Sequence, residues 1–146
     1  MYSRRGKMTI AIDRFDHIVI NVKDVEASAA WYAEVLGMRR EDLASRSGMR
    51  VAMHFGRQKI NLRPVDADIG AWFTGARPVA GSDDLCFITR HIPEEVVAHL
   101  GSLGVAIEAG PVERAGALGP MTSVYCRDLD GNLIEIATYP PSQDSP

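Results

Sequence analysis

The chain has 146 residues, a formal net charge of -3 and a pI of about 5.8, which allows one domain of ordinary size and excludes a strong basic field for nucleic acid. With 46% hydrophobic and 24% charged residues it should fold rather than stay disordered. No apolar run is long enough for a bilayer span and none near the start suits a signal peptide, so a cytoplasmic chain without a membrane partner is expected.

Residues 1–12, with "SRRGK" at 3–7, read as a solvated N-terminal tail. The ordered chain is expected from 13 to 139. In "DHIVINV" Ile18, Ile20 and Val22 alternate with His17, Val19 and Asn21, the period of a strand. Asp24 is a good helix cap, and Glu26 suits the positive end of the helix dipole. Val25, Ala29, Tyr32, Ala33 and Leu36 then recur at helical spacing until Gly37 stops the helix. Short strands are expected near 39–42, 50–55 and 58–63, the last two joined by a tight "GRQ" turn.

A linker over 64–82 carries scattered Gly and Pro. The first pattern then returns at an offset of 67 positions: "DHIVINVKDVEASAAWYAEVLGM" falls on "DDLCFITRHIPEEVVAHLGSLGV" without a gap. Pro93 suits the first helical position, Val96, Leu100 and Leu103 the apolar face, and Gly104 the stop. Strands follow near 106–108, 122–127 and 132–139, with "DLDGN" as an acidic turn. Cys86 and Cys126 lie in apolar runs without a CxxC spacing and read as buried reduced thiols. The polar, proline-rich residues 140–146 read as a disordered tail.

The predicted fold is α+β: two tandem βαβββ modules, 13–63 and 83–139, forming a cupped, half-open mixed sheet. Strand parity turns His17, Asn61, Asp84 and Glu135 to the face opposite the helices, two from each half. Two carboxylates converging with a histidine repel unless a cation lies between them, so a metal site is expected. His54, His91 and His99 have no partner legible in the sequence and read as surface or structural residues.

The motifs "FDHIVINVKDVEASAAWYAEVLGM" and "RDLDGNLIEIATY", set in paired βαβββ halves, resemble the vicinal oxygen chelate superfamily of glyoxalases, bleomycin and fosfomycin resistance proteins and type I extradiol dioxygenases. "GRQKINL", "GSDDLCFIT" and "GPVERAGALGPMTSVYCRDLDGNLIEI" are similar to its glyoxalase domain-containing protein 5 group, which includes bacterial proteins labelled as virulence proteins. The resemblance implies a divalent metal (Zn, Ni, Mn, Co or Fe) on His17, Asp84 and Glu135, and a homodimer. It implies a metal-dependent lyase or isomerase acting on a small vicinally oxygenated metabolite, with Glu135 moving a proton. Asn61 stands where a glyoxalase places glutamate, and Asp84 where a dioxygenase places its second histidine. The alternatives are an extradiol dioxygenase, or a metal-free ligand- or antibiotic-binding resistance protein. Arg63, two residues after Asn61, is expected to bind a substrate anion, and Arg114, in the glycine-rich loop "GPVERAGALG", to close over the cup, both binding the substrate with Asn61. Trp72 and Phe73 in the linker are expected either to wall the pocket or to pack between subunits.

Overall fold

The computed structural model describes residues 8–141. The readings at "SRRGK" and at 142–146 lie outside them. Strand β1 (His17–Val22) leads into helix α1 (Val25–Leu36), then β2 (Arg39–Ser45), β3 (Gly48–Phe55) and β4 (Gln58–Pro64). These form one four-stranded sheet in the order β1-β4-β3-β2, with β1 parallel to β4 and the other pairs antiparallel. The second half repeats the plan: β5 (Asp84–Ile88), α2 (Pro93–Ser102), β6 (Ala109–Gly116), β7 (Gly119–Arg127) and β8 (Leu133–Thr138), in the order β5-β8-β7-β6. The two mixed sheets are separate within the chain.

Local chemistry sets the helix ends. Asp24 accepts from the Ala27 N–H at 3.0 Å, and Gly37 closes α1 at φ 66. The buried face of α1 is Ser28, Ala29, Tyr32 and Val35. Ala33, which the sequence placed on that face, is exposed, because one residue turns the helix by about 100°. In α2, Pro93 takes the first turn, and Glu95 Oε1 accepts from the Ile92 N–H at 3.3 Å.

One strand differs from the sequence expectation. The sixth strand is Ala109–Gly116, not 106–108, and "GPVERAGALG" is a β-hairpin arm rather than a loop. Its glycines and Pro111 imitate loop chemistry. Pro111 is tolerated because β6 is an edge strand, and the register shifts between Ala109 and Val112.

The helix-side faces of both sheets share one core. Ile20, Val22, Ile60 and Leu62 of the first sheet join Val124, Ile134 and Ile136 of the second, with Tyr32, Val35, Val96 and Leu100 from the helices. Burying each such aliphatic side chain contributes roughly 1.5–3 kcal/mol, and neither half keeps that burial alone. Phe55 and Phe87 meet edge to face at 5.3 Å between centroids, and His99 Nε2 donates to the Val35 carbonyl at 2.8 Å.

A polar knot also joins the halves. The buried Asp128 accepts from Tyr32 Oη at 2.6 Å and from the backbone N–H and Nδ2 of Asn132 at 2.9 and 2.8 Å. Burial, then the Asp128 carboxylate, pushes the Tyr32 hydroxyl pKa far above its ordinary value. Asp130 Oδ1 accepts from the Lys23 N–H at 3.1 Å. Gly81, at φ 92, passes so close to the Asp130 carbonyl that a Cβ would collide with it. No helix among the described residues is long and apolar enough to cross a membrane.

Candidate functional site

Because the helix-side faces share a core, the opposite faces of the two sheets are turned away from it. Those faces carry the residues singled out in the sequence. On the first, His17 heads β1, pairs in register with Lys59 and is about half exposed. Its Nδ1 lies 2.8 Å from Asp16 Oδ2, an arrangement that orients the ring and presents Nε2. Asn61, beside Val19 and Ala52, has its Oδ1 buried with no hydrogen-bond partner among the described residues. An orphaned buried acceptor costs about 1–3 kcal/mol, so it calls for a donor or a cation.

Arg63 has a different task from the anion binding expected of it. It is fully buried, and its guanidinium donates to Asn21 Oδ1 at 2.8 Å, the Trp72 carbonyl at 3.1 Å and the Ala67 carbonyl at 2.8 Å. It clamps the linker onto the sheet. Trp72 lies under the Arg50 guanidinium at 4.0 Å, whereas Phe73 is exposed. Lys59, Arg39 and Arg50 give this face a cationic excess over Asp16 and over Glu41, which binds His54 Nε2 at 2.6 Å.

On the second sheet Glu135 is 9% exposed and accepts from Ser123 Oγ at 2.5 Å. Its register partners are Cys86 on β5 and Tyr125 on β7. Partial desolvation of the sulfur, then the Glu135 carboxylate, pushes the Cys86 thiol up to about 12. Cys86 is exposed rather than buried, because its parity puts it on this face, and Cys126 is buried; both are free thiols. Arg114 stands on strand β6, exposed, and its Nε donates to Tyr125 Oη at 3.1 Å. It therefore reaches Glu135 through one tyrosine. Asp84 opens β5 at an exposed position. With Asp84 and Glu135 against Arg114, and Arg127 paired to Glu108 at 2.8 Å, this face has an acidic excess.

One chain does not bring the two sets together. His17 and Asn61 lie on one outward face, and Asp84 and Glu135 on the other. Among the described residues no three His, Cys, Asp or Glu side chains gather closely enough to hold a metal ion. Sequence reasoning missed Ser123 and Tyr125 beside Glu135. The signal was present: in "TSVYCRDLDGNLIEI" the acidic turn sets the hairpin register that places both on Glu135's face.

Residues 14–136 match the family model described as the glyoxalase/bleomycin resistance protein/dioxygenase superfamily. The virulence protein STM3117 of Salmonella typhimurium is 41% identical over 138 residues, covering 94% of this chain and 92% of that protein. Its crystal structure superposes with a TM-score of 0.80 at 43% identity, covering 90% of this chain and 100% of that one. The protein VPC_CASS1, from the mobile metagenome of V. pseudocholerae, gives a TM-score of 0.85 at 40% identity, covering 91% of this chain and 99% of that one. The lactoylglutathione lyase of Agrobacterium tumefaciens, at 23% identity and a TM-score of 0.66 over 88% and 95% of the two chains, shares the fold.

Proposed function

The chain belongs to the glyoxalase/bleomycin resistance protein/dioxygenase superfamily, and from that premise we propose a metal-dependent lyase or isomerase of the glyoxalase type, acting on a small metabolite with two adjacent oxygens. The observation that carries the reading is the split donor set. The first sheet offers His17 and the orphaned Asn61 Oδ1 on a cationic face, and the second offers Asp84 and the nearly buried Glu135 on an acidic face. Charge complementarity favours the first face of one copy meeting the second face of another. A twofold homodimer makes that contact twice and completes two sites.

His17, Asp84 and Glu135 would hold the metal there, with Asn61 beside them. One nitrogen and several oxygens suit Mn, Fe, Co, Ni or Zn, and Asn61 fits because its buried oxygen lacks a donor. When bound, such a metal supplies Lewis acidity toward the two substrate oxygens. Glu135 takes a proton from the substrate carbon and returns it. Ser123 fixes the angle of that carboxylate through its 2.5 Å hydrogen bond. Arg114 binds an anionic part of the substrate while Tyr125 holds its Nε.

The test is metal content and turnover together. Purified protein should take up about one divalent metal per chain. Glu135→Gln should abolish turnover and weaken uptake by about 10- to 100-fold. Formation of the 2-hydroxyacyl thioester from an α-oxoaldehyde and glutathione, set against formation of the free 2-hydroxy acid from the α-oxoaldehyde and water when glutathione is omitted, gives the first substrate screen. Unchanged metal uptake in Glu135→Gln, or no stoichiometric metal in the wild type, overturns the reading.

A further inference from the structure

Ahead of β1 the chain carries an apolar segment that no other described residues cover. Met8, Ile10 and Ile12 alternate with Thr9, Ala11 and Asp13, the period of a strand with one apolar face. They are 92%, 79% and 82% exposed, and Phe15 is 74% exposed. Residues 8–16 form no helix or strand, and Gln58 Nε2 holds their root by donating to the Phe15 carbonyl at 3.0 Å. Four large apolar side chains exposed along one short arm are a recognition surface rather than ordinary scatter.

The same chain has a groove of about 600 Å³ between its halves, lined by Met38, Phe55, Phe87, Ile88, Val96 and Ile136. The arm's root lies near it, because Gln58 pairs in register with Phe55. Yet within one chain the arm stays out of the groove, and both apolar surfaces remain open. Ile88 links the groove to the acidic face, since it ends the run Asp84, Cys86, Ile88 on β5.

We infer that the Met8–Ile12 side chains of one copy seat in the groove of a second copy, so that each arm straps the dimer. The inference rests on the two-copy site proposed above. A contact that brings His17 to the other copy's Glu135 also brings it beside Cys86, the register partner of Glu135. Ile88 is two residues further along β5, about 7 Å away. Ile12 and Met8 precede His17 by five and nine residues, an extended reach of roughly 17–30 Å. The arm therefore spans from the site to the groove with length to spare.

Sedimentation of the full-length protein across a concentration series, with hydrogen exchange of the amides at 8–12, tests this. Ile10→Asp combined with Ile12→Asp should raise the dimer dissociation constant at least tenfold and leave the melting temperature of the dilute monomer unchanged. Wild-type amides at 8–12 should gain protection as the protein is concentrated. A dimer of wild-type strength in the double variant overturns the arm's role, as does protection independent of concentration, which means docking within one chain. Either result leaves the dimer and its metal site standing. A wild type that stays monomeric at all concentrations overturns the two-copy site together with the strap, and wild-type metal content then tells whether a metal site survives without it.

Discussion

The Asp128 carboxylate accepts from the Tyr32 hydroxyl and from both the backbone and the side-chain N–H of Asn132, all inside the protein. Removing it strands several buried donors at once. Asp128→Ala should therefore destabilise the protein by about 3 kcal/mol, while Tyr32→Phe, which deletes one donor with its bond, should cost about 1 kcal/mol. Urea unfolding of the two variants checks the ratio. At this scale the sequence was partly legible. Parity identified Glu135 and Asn61 as outward residues, because alternation along a strand is a local property. The fate of Arg63 was not legible. Its partners are the Ala67 and Trp72 carbonyls of the linker, and only the folded path of 64–82 brings them to it.

Glu26, in the first turn of α1, ties that helix to β2. Arg40 donates to both of its oxygens, at 2.8 and 2.9 Å, and also to Asp42. The hydrogen bond from Arg40, and then its charge, hold the Glu26 carboxyl below the ordinary 4.5. A carboxylate whose folded pKa is depressed adds stability above its unfolded value and loses it as the pH falls through the folded one. Wild type should thus melt slightly higher than Glu26→Gln at pH 7, and the gap should close as the pH drops from 4.5 downward. The gap stays small because the pair is exposed. Melting temperatures of both proteins from pH 7 to pH 3 check this. Both helices were legible as elements, since Asp24, Gly37, Pro93 and Gly104 mark their ends by local chemistry. The strand Ala109–Gly116 was not, because glycine and proline signal a loop until a neighbouring strand pairs with them.

The two-copy reading makes a prediction that belongs to the whole molecule. At a metal concentration near the wild-type dissociation constant, His17→Ala and Glu135→Gln should each hold little metal as pure proteins. In a mixed dimer, His17 of the Glu135→Gln chain meets Glu135 of the His17→Ala chain, so one of the two sites is intact. An equal, randomly exchanged mixture should recover about a quarter of the wild-type sites. Metal content after mixing measures it, and no recovery argues for a site within one chain. The sequence by itself determined the 67-residue repeat, the two βαβββ halves and the faces on which His17, Asn61, Asp84 and Glu135 lie. Each of these follows from periodicity and capping, which act over a few residues. The tertiary structure alone decided which faces meet. Sixteen buried apolar residues from both halves gather in one core on the helix side, and that shared burial turns the two sets of polar residues outward, apart from each other.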